Sequence, residues 1–260
     1  MSVWILENRE NIKSDDVCGL LMTFAVLGYI PTNFNDIFEQ LITPIIQSKS
    51  LTTFELLDMV WALTVLEKAS AEHAEMILNY DFLNNDHLCA QPSKIIKILN
   101  INAAASVSIP NYTGPILPEN SLFFKPDIIL SKERIKISNP IIKALKLLLP
   151  ANNTYMNSYN NTNMGFIIDA EFCVDNNCTP FPINLTLSEE INRVAVLSVT
   201  FSEMCYELTE VMGKIKFYSK LLEKKGYKVL LLPYKEEQSK QPLISRAKFI
   251  NEKLKQLLEK

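Results

Sequence analysis

Arg193-Val194-Ala195-Val196-Leu197-Ser198-Val199-Thr200 is an almost unbroken apolar run of strand-forming residues. A strand with one wet face alternates apolar and polar side chains; a nearly continuous run reads as a strand buried on both faces. Residues 214–225 then spell an amphipathic helix, ended by Gly226, the residue that most readily takes the left-handed conformation of a helix C-cap. Tyr227-Lys228-Val229-Leu230-Leu231-Leu232-Pro233 reads as a further strand, residues 246–260 as a last helix, and Gly165-Phe166-Ile167-Ile168-Asp169-Ala170-Glu171-Phe172 as an earlier strand. Strand, helix and strand around a buried strand specify a small α/β unit, placed at 164–260.

Upstream the period changes. Residues 151–163 hold six asparagines and read as a polar loop and domain boundary. Before it, 91–163 is a mixed connecting region: a short helix over 94–99, turn chemistry in Ile109-Pro110-Asn111-Tyr112-Thr113-Gly114-Pro115, and a helix over 141–149 closed by Pro150. Residues 1–90 read as helices, with apolar side chains at three- and four-residue spacing. Thr52-Thr53-Phe54-Glu55 has the form of a capping box, and Leu56, Leu57, Val60, Trp61, Leu63 and Leu66 line the helix behind it. Residues 20–27 and 59–66 match at a 39-residue offset, each followed by a second amphipathic stretch. A helix pair repeated at that period is the signature of an α-solenoid, since one pair cannot bury its own apolar face. Two copies are fewer than the roughly three that such stacks need. The expectation is a truncated N-terminus or helices supplied from elsewhere. Fold class is therefore mixed: a helical, solenoid-like region followed by a compact α/β domain.

The 260 residues are 48% hydrophobic, which supplies a sizeable core and excludes wholesale disorder. No apolar run reaches the roughly 18 residues of a membrane span. Cys18, Cys89, Cys173, Cys178 and Cys205 are spread thinly with no paired spacing, and His73 and His87 fit no zinc template, so reduced thiols and no metal are expected. Residues 1–16 mix acids with bases, unlike a mitochondrial presequence. The formal charge of −3 hides a partition: residues 213–260 hold 13 Lys and Arg against 5 acids, a surplus of eight, and the remainder carries a deficit of eleven. A short segment that basic is an electrostatic footprint for polyanions, unless its lysines only keep a helix soluble.

The strand at 193–200, Cys205, Gly213, the basic helix, Gly226-Tyr227-Lys228-Val229 and Leu232-Pro233-Tyr234-Lys235-Glu236 together closely resemble the RAP domain of the FAST kinase domain-containing family. Ile168-Asp169-Ala170-Glu171-Phe172 looks like its opening strand. Ile98-Leu99-Asn100 with residues 109–117 looks like the family's middle region, and residues 56–66 like its leucine-rich helical repeats. The resemblance implies a mitochondrial matrix protein that binds RNA transcripts and controls their processing, stability or translation, in ribonucleoprotein or other protein assemblies. It also implies a longer, targeted N-terminus with more repeats. No glycine-rich phosphate loop, His-Arg-Asp or Asp-Phe-Gly occurs, so kinase chemistry has no support here.

The RAP domain is similar to very-short-patch-repair-type nucleases of the restriction-endonuclease-like fold. Metal-dependent phosphodiester cleavage needs carboxylates clustered to hold a hard cation. The buried strand of that nuclease pattern carries an acidic pair; here Leu197 and Val199 stand at those positions. Asp169 stands where the first metal carboxylate would lie, with Glu171 on the same strand face and Glu236 as a further residual candidate. Two readings of Asp169 and Glu171 follow: a remnant metal site, or a polar pair that is hydrogen-bonded or orients a basic side chain. The reading taken is a nuclease-like fold used for RNA binding, with no cofactor and no intact catalytic site; the alternative is a metal-dependent ribonuclease acting on mitochondrial transcripts. RNA contact is expected from Lys216, Lys220 and Lys224, which line up along the helix, from Lys228, Lys235, Arg246 and Lys248, and from Tyr234 stacking on an unpaired base.

Overall fold

The computed structural model describes residues 2–48, 50–84, 88, 91–184, 190–205, 210–233 and 241–259. It is a mixed α/β structure, helices predominating, with one mixed sheet. The chain divides into two compact units, one of residues 1–126 with 212–217, the other of residues 127–211 with 218–260.

The first unit is helical. Its elements are α1 (Ser2–Glu7), α2 (Ser14–Leu27), α3 (Phe34–Ile37), a π-helical turn (Phe38–Ile42) running on into α4 (Thr43–Gln47), α5 (Thr53–Val65), α6 (Ala71–Leu78), α7 (Tyr80–Leu83) and α8 (Pro92–Val107). The capping box is present at the start of α5: the Glu55 N–H donates to Thr52 Oγ1 at 3.3 Å, and the Thr52 N–H donates to Glu55 Oε2 at 2.7 Å. α5 packs against both α2 and α8, burying Leu57, Val60, Trp61 and Leu63. The buried Trp61 indole donates to Asn100 Oδ1 of α8 at 2.9 Å, meeting the need of both polar groups for a partner away from water. α2 ends at Gly28, whose φ of 64° is the left-handed cap that side-chain-bearing residues avoid. Gly213 lies against this cap: a Cβ there would stand 2.0 Å from the Ala25 carbonyl oxygen, so only glycine permits the approach.

The second unit is a sheet with helices. Its elements are α9 (Lys132–Leu148), β1 (Met156–Asn161), β2 (Ile167–Val174), β3 (Pro180–Phe181), β4 (Asn192–Val199), α10 (Gly213–Lys224), β5 (Tyr227–Pro233) and α11 (Leu243–Leu258). The first turns of α10 belong to the first unit and its remainder to this one. The strand order is β1-β2-β4-β5, with β3 also on β2. β1–β2 and β2–β4 are antiparallel; β4–β5, joined through α10, is parallel, from Arg193 opposite Tyr227 to Val199 opposite Pro233. One sheet face sends Ala170, Phe172, Val174, Val194, Val196, Leu230 and Leu232 into a core closed by Ile141, Ile142 and Leu145 of α9 and Ile250 and Leu254 of α11. The apolar run of β4 is buried from Val194 onward on both faces, as its composition requires. On α10, Ile215, Tyr218, Leu221 and Leu222 are the buried side, and Tyr218 stacks on Phe166 with ring centroids 4.0 Å apart.

Three elements differ from the sequence reading. The short helix expected over 94–99 is the first turns of α8, which runs on to Val107. The asparagine-rich stretch contains β1, an edge strand, where a loop was expected. Its apolar members hold it: Met156 and Tyr159 pack on the core, and the Tyr159 hydroxyl donates to Asn139 Oδ1 at 2.8 Å. Tyr159 takes a φ of 56°, outside the strand region, and its ring packs on the same core as Met156 three residues earlier, which regular alternation would not allow. The helix expected at 141–149 begins nine residues earlier, at Lys132, with Pro140 inside it and Ser131 Oγ accepting the Arg134 N–H at 3.1 Å as its N-cap.

Candidate functional site

Asp169 and Glu171 lie on the sheet face opposite the α9–α11 core, at alternate positions of β2, and neither side chain is exposed at all. Each closes on its own set of partners. Arg134 donates to Asp169 through Nε to Oδ1 at 3.2 Å and Nη2 to Oδ2 at 2.9 Å, the bidentate fork that suits a carboxylate best. The pairing of β2 with β4 stops at Ala170 opposite Val196, and beyond it the Ser198 N–H donates to Asp169 Oδ2 at 2.6 Å. The side chain thus substitutes for the missing rung of the ladder. Arg134 is also 3.6 Å from Glu203, itself the box residue that caps Thr200. Burial pushes the Asp169 carboxyl above the usual carboxylate range, and the Arg134 guanidinium and Ser198 N–H pull it part of the way back.

Glu171 has three partners drawn from three other strands. Its Oε1 accepts from Arg193 Nε of β4 and from the Tyr227 hydroxyl of β5 at 3.0 Å; its Oε2 accepts from Asn160 Nδ2 of β1 at 2.6 Å. The Arg193 guanidinium carbon sits 4.7 Å from the Tyr227 ring centroid, a cation–π contact. Burial first, then the Glu171 charge, push the Tyr227 phenol up to about 12, so it stays a proton donor at any physiological pH.

Chemically this is a pair of charge-compensated carboxylates. Every Asp169 and Glu171 oxygen accepts at least one hydrogen bond, three of the six from arginines. Leu197 and Val199, at the acidic positions of the nuclease pattern, are buried and apolar. Among the described residues no three His, Cys, Asp or Glu side chains gather as a metal-ion group.

The basic residues fall as follows. On α10, Lys220 and Lys224 are exposed and Lys216 is half-buried, at four-residue spacing on one helix. Lys228, on β5, is half-buried opposite Val194; Arg246 is half-buried and Lys248 exposed on α11. Tyr234, Lys235 and Glu236 lie outside the described residues. Arg134, Arg193, Tyr227 and Asn160, which complete the carboxylate sets, were not singled out from sequence. The register Arg193 opposite Tyr227 on two adjacent strands was the signal that could have found the second set.

Residues 17–86 match "FAST kinase-like protein, subdomain 1" and residues 95–182 match "FAST kinase-like protein, subdomain 2", together more than half of the chain. The chain belongs to the FAST kinase-like family. FAST kinase domain-containing protein 4 of Rattus norvegicus is 25% identical over 253 residues, and that of Homo sapiens 23% over 251; each alignment covers 89% of this chain and 39% of the relative. Fas-activated serine/threonine kinase of Mus musculus is 21% identical over 284 residues, covering 98% of this chain and 54% of the relative. The chain therefore spans about two fifths to a half of the length of these FAST kinase-like relatives. The subdomain 2 match ends at residue 182, so it takes in β1, β2 and both candidate carboxylates. Among the described residues, no helix is long and apolar enough to cross a membrane.

Proposed function

We propose that this chain is an RNA-binding regulator of mitochondrial transcripts that acts by holding RNA, without cutting it. Membership of the FAST kinase-like family supports the class of function. On this reading residues 1–90 supply stacked helical repeats, 91–163 the connecting region, and 164–260 a RAP domain of nuclease-like ancestry, in the mitochondrial matrix. The observation that carries RNA contact is the surplus of eight positive charges in residues 213–260 of an otherwise acidic chain. The observation that favours binding over cleavage is the complete engagement of Asp169 and Glu171 by Arg134, Ser198, Asn160, Arg193 and Tyr227.

Lys216, Lys220 and Lys224, with Lys228, Lys235, Arg246 and Lys248, serve the phosphate backbone, which yields affinity with little sequence choice. Tyr234 stacks on an unpaired base. Each phosphate contact to single-stranded RNA contributes about −0.7 to the slope of log K against log salt. The triple substitution Lys216→Ala, Lys220→Ala, Lys224→Ala is expected to weaken binding across unrelated sequences and flatten that slope by roughly 2 units, read by filter binding at several salt concentrations. Unchanged affinity and slope would show that the lysines only keep the helix soluble.

A further inference from the structure

The buried glutamate of β2 has a consequence for the arginine beside it. Glu171 is wholly buried, yet the Arg193 side chain it holds is 36% exposed. Glu171 accepts a hydrogen bond only from the Nε of that guanidinium; among the described residues neither Nη makes a hydrogen bond. One face of the guanidinium lies on the Tyr227 ring, and the Tyr227 hydroxyl is tied to the same Glu171 oxygen. Asn160 fixes the other oxygen. Residues of four strands thus hold one arginine by its Nε and one ring face, and its side chain remains 36% exposed.

A guanidinium clamped this way has lost its side-chain freedom before any ligand arrives, so a ligand need not supply that ordering cost. Its two parallel N–H donors match a phosphate or carboxylate, and a fixed planar fork distinguishes this from a flexible lysine. The surroundings select between those anions. The exposed Lys224 ends α10 and the exposed Lys225 follows it; with Glu223 the segment leading through Gly226 into Tyr227 is net positive, which favours a polyphosphate backbone.

We propose that Arg193 is a preorganised phosphate-binding site for a phosphodiester of single-stranded RNA, with Glu171 as its positioning residue. This rests on the RNA-binding reading above and adds to it a specific contact outside the lysines of α10. It also gives the β2 glutamate a role: it directs a cation to the phosphate in place of holding a metal.

Two variants test this by filter binding of a uridine oligonucleotide, each first shown to unfold cooperatively. Arg193→Lys keeps a cation for Glu171 and removes the fork; the affinity is expected to fall about tenfold. Glu171→Gln removes a negative charge, which by electrostatics alone would tighten binding to a polyanion; if Glu171 positions the fork, binding weakens several-fold instead. Wild-type affinity in Arg193→Lys, or tighter binding in Glu171→Gln, overturns the inference while leaving the RNA-binding reading intact. Should Glu171→Gln fail to fold, Arg193→Lys decides alone. A wild-type protein that retains no RNA at any salt concentration removes the reading and this inference with it.

Discussion

Val196→Asp is expected to unfold the sheet-bearing unit. Val196 is wholly buried on the second strand from the sheet's β5 edge, between Ala170 of β2 and Leu230 of β5, and faces the core built by α9 and α11. A carboxylate there has no cation within its cluster, and an unpaired charge in an apolar interior either costs many kcal/mol or takes up a proton. The loss is about 4–5 kcal/mol or more, against a total stability of about 5–15 kcal/mol for a domain. Thermal unfolding followed by circular dichroism reads it directly. A soluble variant that melts cooperatively near the wild-type temperature would refute the buried central strand on which the architecture rests.

The second large effect is at Arg134. Its side chain is 12% exposed and lies between Asp169 at 2.9 Å and Glu203 at 3.6 Å. Arg134→Ala leaves the buried Asp169 with the Ser198 N–H as its remaining partner, and removing one member of a buried pair costs about 3–5 kcal/mol. The pH dependence has a definite sign. Burial already raises Asp169 above the ordinary aspartate range, and without Arg134 it rises further. The folded variant then binds a proton that the unfolded chain has released, so its stability falls as pH rises from the ordinary aspartate value toward the folded one. Denaturant unfolding should show the variant closer to wild type at about pH 4 than at about pH 7. An equal deficit at both would mean that Asp169 stays charged, or stays protonated, throughout.

How far the sequence disclosed this depends on the residue type at each step. The β4 run was legible because apolar, β-branched residues in an unbroken series have few alternatives to a two-sided burial. The α5 start was legible because a Thr and a Glu three residues apart carry their own local hydrogen bonds. β1 was not, because asparagine favours turns and disfavours strands. What keeps Met156–Asn161 in the sheet is tertiary: a vacant edge of β2, and the Met156 and Tyr159 contacts with the core. Pro140 hid the first half of α9, since proline removes a helix hydrogen bond and is normally read as a boundary. Arg134 lies in that hidden half, so the partner of Asp169 was out of view. The carboxylates themselves were found from sequence, and so was the possibility that they orient a basic side chain. Which arginines they hold required the fold, since Arg134 and Asp169 are 35 residues apart and Arg193 and Glu171 are 22.

The central claim is that Asp169 and Glu171 are structural and positioning groups in a protein that binds RNA and leaves it whole. End-labelled single-stranded RNA, incubated with the purified protein in Mg²⁺ or Mn²⁺ and in EDTA, then run on a denaturing gel, tests this most directly. The account predicts full-length RNA in every lane, at protein concentrations where the same RNA is retained on filters. Fragments that appear with the metal, vanish in EDTA and are lost in a cooperatively folding Asp169→Asn variant would contradict it.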